Sequence, residues 1–268
     1  MRINQKQIEV FQKKIMKFYK DHDRKLPWRN TKNPYYILVS EIMLQQTQVS
    51  RVIKHYQKWI TTWPTIFNLA DASFETVLKQ WIGLGYNRRA KYLHQTASII
   101  CQKYQGNVLD ALKDYTSLPG IGIYTSTAVR IFAANEDIVT IDTNIRRILI
   151  HEFHLPTTIA FTELKNIASR CLPKGHSRDW HNALMDYGAL YLTSKKTGIS
   201  PETKQSPFKG SDREIRGLIL KQLLNEAQKK EDLQEKLTIL SSRLDIIISS
   251  LSEEGFLIEE NGTLKLKQ

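Results

Sequence analysis

The feature that most narrows the fold is a helical beat of apolar residues that never gives way to a long strand pattern. Apolar side chains recur at three- and four-residue steps in Ile8-Phe11-Ile15-Phe18, Val49-Ile53-Tyr56-Ile60, Val77-Trp81, Ala90-Leu93-Ala97-Ile100 and Ile145-Ile148-Leu149. That spacing lines them up along one face of an α-helix. Short breaks with helix-stop and helix-start chemistry separate the runs: Trp63-Pro64, Gly83-Leu84-Gly85, Leu118-Pro119-Gly120-Ile121-Gly122 and Leu155-Pro156-Thr157-Thr158. No internal repeat or low-complexity tract interrupts this rhythm, so the expected fold is mostly α.

Charge divides the chain. Lys and Arg number 39 against 27 Asp and Glu, a net charge of +12 that fits a polyanion-binding protein. From Ser211 onward there are 9 basic and 11 acidic side chains, net −2, so a polyanion-binding surface belongs to the first 210 residues. The boundary falls at SPETKQSPFKGSD (200–212), whose Pro, Gly, Ser and Lys read as a linker between a helical domain over 1–199 and a small domain over 213–268. The small domain opens with a helix over 213–228. After EDLQEKLT comes a helix from Ser242 to about Glu254 with Gly255 as its cap, then FLIEE and TLKLK around Asn261-Gly262, a two-residue hairpin signal. Helices followed by a terminal hairpin resemble a winged helix. With a net charge of −2, and only Arg243 near the start of the candidate recognition helix, this domain favours intramolecular packing or a protein partner over direct DNA contact.

Two cysteines, Cys101 and Cys171, exclude a disulfide scaffold and are too few for a four-cysteine metal site; they fit a reducing, cytoplasmic setting. No segment approaches the ~18 apolar residues of a membrane span, and the N-terminal stretch is interrupted by Lys and Gln too often for a secretory leader. A cytoplasmic monomer is expected, neither secreted nor membrane-bound.

Three places carry chemistry. Leu118-Pro-Gly-Ile-Gly122 allows a tight hairpin whose backbone N–H groups, with the start of the next helix, can hold a phosphate oxygen through Gly120 and Gly122, although the same residues also make an ordinary helix–helix turn. About twenty residues on, Val139-Thr-Ile-Asp142-Thr-Asn144-Ile-Arg-Arg147 places Asp142 just before a helix, where a carboxylate caps the first turn and stays ionised beside the positive helix end. Glu41 lies in the apolar run Ile37-Leu-Val-Ser-Glu-Ile-Met-Leu44. There it is either paired in a structural salt bridge or held with a raised pKa, the property of a general acid.

The hairpin, the following helix and the aspartate resemble the helix-hairpin-helix DNA glycosylase superfamily. Leu26-Pro-Trp-Arg29, Pro34-Tyr-Tyr-Ile-Leu-Val-Ser-Glu41-Ile-Met-Leu-Gln45-Gln46-Thr47-Gln48-Val49, Gly83-Leu-Gly-Tyr86-Asn-Arg-Arg-Ala90-Lys-Tyr-Leu-His94 and Met185-Asp186-Tyr-Gly188-Ala189 are similar, in order and spacing, to the adenine DNA glycosylases, the MutY family, over roughly residues 8–192. The resemblance implies a two-lobed helix-hairpin-helix fold, with DNA and a flipped base in the cleft, followed by a small winged-helix-like C-terminal domain. It implies a monofunctional enzyme of base excision repair that removes adenine mispaired with 8-oxoguanine or guanine and leaves an abasic site. Thymine or uracil excision from G mispairs, and a non-catalytic damage-sensing DNA-binding protein, are the alternatives.

By resemblance Glu41 protonates the flipped adenine and Asp142 stabilises the oxocarbenium-like sugar, while Tyr124 and Asn144 help hold the aspartate, the water and the sugar. Tyr124 stands where the lyase branch carries its nucleophilic lysine, which excludes a Schiff base at that position. Trp28, Arg29, Leu44 and Asp186 match the adenine pocket. Gln46, Leu84 and Tyr86 match residues inserted into the duplex, Thr47 lies in the same string, and Arg88, Arg89, Lys91, Arg146 and Arg147 are candidate phosphate contacts. Individually, each pocket or wedge residue also suits ordinary packing, and the basic residues also suit solvated helix faces.

The chain departs from the family pattern in three ways. The four cysteines of an iron–sulfur cluster are missing after Gly188-Ala189, so no cofactor or metal is expected, apart from a monovalent cation at the hairpin carbonyls that family resemblance allows. The lysines at 195 and 196, together with packing, are expected to hold that segment instead. Thr143 stands where the adenine branch usually shows Gly, a spelling of the pyrimidine-excising relatives. The 58 residues from 211 to 268 are too few for the Nudix-like domain that commonly ends these proteins.

Overall fold

A computed structural model describes residues 3–201 and 206–267. Among them the chain forms α1 (Gln5–His22), α2 (Pro34–Leu44), α3 (Val49–Thr62), α4 (Ile66–Ala70), α5 (Phe74–Trp81), α6 (Arg88–Tyr104), α7 (Val108–Ala111), α8 (Ile123–Ala134) and α9 (Thr143–Glu152). It continues through α10 (Phe161–Cys171), α11 (Ser177–Asp186), α12 (Ser194–Thr197) and α13 (Asp212–Leu223) to β1 (Gln228–Lys229), α14 (Lys230–Leu237), α15 (Ser241–Glu253), β2 (Leu257–Glu260) and β3 (Thr263–Leu266). Local chemistry sets several helix starts. Asn4 and Gln7 form a reciprocal capping box on α1, Thr65 and Asn68 another on α4, and Ser73, Asp142 and Ser211 cap α5, α9 and α13.

The chain divides into two compact units that are not consecutive in sequence. The first draws its described residues from 3–41, 108–117 and 121–201. Its core is built from the apolar face of α1 (Ile8, Phe11, Ile15) with Ile145, Ile148 and Leu149 of α9 and Trp180, Ala183 and Leu184 of α11. Phe11 meets Trp180 edge-on at 5.5 Å and Phe153 at 5.0 Å, the geometry that aromatic quadrupoles favour. After α11 the backbone loosens into a π-turn over Tyr187–Tyr191, which brings Leu192 into the same core before Thr193 caps α12.

The second unit comprises 42–107, 118–120 and 206–267. It joins α3–α6 to the C-terminal segment through one apolar cluster. Leu78 of α5 is fully buried among Ile215, Ile219, Leu220 and Leu223 of α13, Leu244, Ile247 and Leu251 of α15, and Phe256. Phe74 packs on Phe256 at 5.8 Å. The three strands form an antiparallel sheet in the order β1-β3-β2, with Glu260 opposite Thr263 across Asn261-Gly262. Both turn residues have positive φ (51° and 72°), the twist that a two-residue hairpin needs. Three helices and this small sheet form the winged-helix-like segment.

The expected helix over 213–228 is shorter in the structure. It ends at Leu223, and Gln228 and Lys229 pair with Leu264 and Thr263 instead. The strand gives those backbone groups partners, and buried Gln228 accepts a hydrogen bond from Lys236 Nζ at 3.1 Å. Of the expected linker, 202–205 lie outside the described residues. No described helix is long and apolar enough to cross a membrane.

Candidate active site

Glu41 sits in the first unit on α2, whose neighbouring residues Ile37, Leu38, Val39, Ile42 and Met43 are all buried. A helix this apolar all round belongs in a core, and it carries the carboxyl in with it, leaving Glu41 only 9% exposed. Burial, reinforced by the charge of Asp142, pushes the Glu41 carboxyl up to about 7. Among the described residues no cation acts to lower it, and none forms a salt bridge with it.

Asp142 is treated differently. As N-cap of α9 it accepts from the Ile145 N–H at 2.7 Å and from Asn144 Nδ2 at 3.0 Å. Burial raises its pKa, and these donors, with the Arg147 charge, offset part of that rise. The buried proton of the pair therefore belongs on Glu41, while Asp142 has the groups that stabilise an anion. Tyr124, in the first turn of α8, lies in the field of both carboxylates. Its hydroxyl is raised well above its ordinary value, chiefly by burial and then by Glu41 and Asp142, and it stays neutral.

Arg147 holds this cluster from behind. Its Nη2 donates to Asn144 Oδ1 at 2.6 Å and to the Gly188 carbonyl at 2.9 Å, and its Nε donates to the Leu192 carbonyl at 2.6 Å. The residue is 6% exposed. This corrects the expectation of a phosphate contact: the guanidinium is committed to the π-turn carbonyls and to the residue that orients Asp142. It also does much of the holding expected of Lys195 and Lys196, of which Lys196 lies over the Tyr191 ring at 3.5 Å. Gly188 is needed at that contact, since a Cβ there would lie 2.9 Å from Asn144 Cβ.

Elsewhere in the first unit, Asp186 is fully buried and bidentate to Arg29, at 2.6 and 2.8 Å, and it also pairs with Arg24. Burial alone would raise its pKa, but hydrogen bonds from Arg29 and the Arg24 backbone outweigh that and hold the carboxyl below its usual range. Of the expected base-pocket residues, Arg29 and Asp186 thus engage each other, and Trp28 is buried in the turn between α1 and α2. Arg146 donates to the Thr157 carbonyl, and Gly122 caps α8 with nothing near its Cα face.

In the second unit Gln46, Tyr86, Arg88 and Gly120 line one cavity of about 510 Å³. Gln46 and Tyr86 both hold left-handed backbone (φ 54° and 48°), and Gly120 (φ 73°) packs so closely that a Cβ would sit 2.8 Å from Tyr92 Cβ. Leu44, at the end of α2, is half-buried. Leu84 departs from expectation. It is 3% exposed, a core residue rather than a wedge ready to enter a duplex. Arg89 is also no phosphate contact: buried, it donates to the carbonyls of Ile42, Met43, Gln45 and Gly85 at 2.7–3.0 Å and to Thr47 Oγ1 at 3.0 Å, which fixes both loops. Lys91 donates to the carbonyls of Glu254 and Gly255.

The family model for HhH-GPD superfamily base excision DNA repair proteins matches residues 39–174, a span that includes Glu41, the hairpin and Asp142. The chain belongs to that superfamily. Among the similar curated proteins, the adenine DNA glycosylase of Buchnera aphidicola subsp. Baizongia pistaciae is 38% identical over 197 residues, covering 72% of this chain and 56% of that protein. The adenine DNA glycosylase of Mycolicibacterium smegmatis is 34% identical over 227 residues, covering 77% of this chain and 78% of that protein. The chain thus spans little more than half the length of the Buchnera relative. A solved thermostable thymine-DNA glycosylase aligns with a TM-score of 0.66 at 28% identity, covering 72% of this chain and 94% of that one.

The donor set of this chain does not fit the cysteine-held cluster that its resemblance to the adenine DNA glycosylases implies. No cysteine follows Gly188, Cys171 is buried in the apolar core of the first unit, and burial pushes its thiol up to about 12. Among the described residues no three His, Cys, Asp or Glu side chains gather as a metal site. Sequence reasoning missed the roles of Arg89 and Arg147. Both read as cations on helix faces, and only the three-dimensional position of loop carbonyls distinguishes a buried latch from a phosphate contact.

Proposed function

We propose that this protein is a monofunctional adenine DNA glycosylase that hydrolyses the N-glycosidic bond of adenine opposite 8-oxoguanine or guanine in duplex DNA. The observation that carries the reading is the division of labour between two carboxyl groups, a buried Glu41 with its pKa near 7 and a capped, anion-stabilised Asp142. The names of the relatives and the Ser40–Val49 string support adenine as the base.

In the reaction the Glu41 carboxyl donates its proton to N7 of the flipped adenine, so the glycosidic electron pair leaves with a neutral base. Positive charge develops on the deoxyribose, and the Asp142 carboxylate stabilises it. Water adds at C1′ and gives up a proton, leaving an abasic site. Tyr124, neutral and in contact with the field of both groups, is a hydroxyl that can orient that water or the sugar. Having no amine at this position, the chain leaves strand cleavage to a later alkaline or enzymatic step. No step needs a cluster or a metal.

Thymine excision from G mispairs is the second reading, favoured by Thr143 and by the structural likeness to a thymine-DNA glycosylase. Single-turnover base release on matched duplexes separates the two. Adenine release at A·8-oxoguanine and A·G, lost in Glu41→Gln, is expected; thymine release from T·G without adenine release would transfer the assignment to the pyrimidine branch.

A further inference from the structure

The C-terminal segment carries a net negative charge, yet the part of it that faces the second unit's cavity is basic. Arg213 and Arg216 of α13 join Arg88 and Arg89 on the cavity wall, with Glu254 as the one carboxylate among the described lining residues. That carboxylate is shared: Arg88 Nε donates to it at 3.2 Å and Arg216 Nη2 at 2.6 Å. Arg89 is committed to loop carbonyls. Arg213 is different, because its partners among the described residues are neutral: it donates to the Tyr86 hydroxyl, to the Ser206 carbonyl at 2.6 Å and to Ser206 Oγ at 3.3 Å, with its Cζ 5.0 Å from the centre of the Tyr86 ring. The cavity therefore offers a guanidinium that has no carboxylate partner among the described residues, beside the ring of Tyr86, with Tyr92, Gln46 and Asn87 also on the wall. A flat, hydrogen-bonding group attached to an anion matches such a lining, and a nucleotide is the ligand with both parts.

We propose that at this cavity Arg213 of the C-terminal segment contacts a backbone phosphate of the duplex, so that α13 is part of the DNA grip. The inference rests on the DNA-repair reading above and extends it to a residue outside the 39–174 family match. Tyr86 then has two neighbours with distinct tasks: Arg89 fixes its loop from the core, and Arg213 carries charge to the cavity.

The test is equilibrium binding of the full chain to a duplex whose target deoxyadenosine bears a 2′-fluorine, which resists cleavage by disfavouring positive charge at C1′. Affinity is followed from 50 to 200 mM salt, with 8-oxoguanine or guanine opposite the target. Arg213→Ala is expected to weaken both complexes by about tenfold and to lower the slope of log K against log salt by about 0.9, one phosphate contact. Arg213→Lys is expected to keep the wild-type slope, and so is Tyr86→Phe, which removes the hydroxyl but leaves the charge. An unchanged slope in Arg213→Ala overturns the proposal. A Tyr86→Phe variant that reproduces the alanine variant assigns Arg213 to holding Tyr86 and also overturns it, as does a loss confined to the 8-oxoguanine duplex, which places the contact on a base. Failure of the adenine reading appears separately, as absent base release by the wild type on the unfluorinated duplex.

Discussion

At the scale of single residues, Glu41 and Asp142 make opposite demands on pH. With the Glu41 carboxyl at about 7, the acid form is lost as pH rises through neutrality, so base release should fall on the alkaline side of about pH 7. Asp142 must be ionised and its pKa is raised above the ordinary aspartate value, so activity should also fall on the acid side, giving a bell. Stability follows the same group. Glu41 binds its proton more tightly folded than unfolded, so its contribution is complete below the unfolded value near 4.5 and is lost as pH rises through about 7. Above pH 7 the buried carboxylate should cost on the order of 3 kcal/mol. Glu41→Gln should therefore melt higher than wild type at pH 8, by a margin that vanishes at pH 4.5, while releasing base at least a hundredfold more slowly. Thermal melts across that range check the first expectation and single-turnover rates the second; a constant difference in melting temperature would place the proton elsewhere. The isolation of Glu41 is legible in the sequence, because a lone acid in an eight-residue apolar run has few places to go but inside. The burial of Leu84 is not, since a leucine between two glycines fits a loop tip or a core equally well.

At the scale of elements, α9 does two jobs. Its N-terminus holds Asp142, and one turn later Arg147 ties Asn144 to the carbonyls of Gly188 and Leu192. Arg147→Leu would leave two buried carbonyls without donors, at about 1–3 kcal/mol each, and would remove a charge that lowers the Asp142 pKa. Melting temperature should drop, and the acid limb of the pH–rate profile should move to higher pH; a destabilised variant with an unmoved acid limb would confine Arg147 to a structural role. Gly188→Ala approaches the same joint from the other side, where a Cβ 2.9 Å from Asn144 Cβ forces one of them to shift at a cost of about 1–3 kcal/mol. The start of α9 is legible from an aspartate preceding an apolar helical pattern. The π-turn that meets it is not, because nothing in the local pattern of Tyr187–Tyr191 separates a π-turn from a continued α-helix.

At the scale of the whole molecule, compactness cuts across chain order. Composition marks a boundary near residues 200–212, but the segment beyond it shares a hydrophobic cluster with α5, and Leu78 stands in both. Sequence shows where charge and turn residues change, whereas the partner of an apolar helix face is set by shape that no local pattern encodes. The shared cluster has a measurable consequence. Leu78→Ala removes a fully buried side chain at the seam, and such truncations cost about 2–5 kcal/mol. Because the cluster joins α5 to α13 and α15, hydrogen exchange should show their amides losing protection together, by comparable free energies. Loss of protection in α5 alone would mean that the C-terminal segment keeps its own stability and merely rests on the helices before it. Joint loss would make the segment part of the fold that presents Tyr86 and Arg88, and its removal would then disturb the loops that carry them as well as the segment itself.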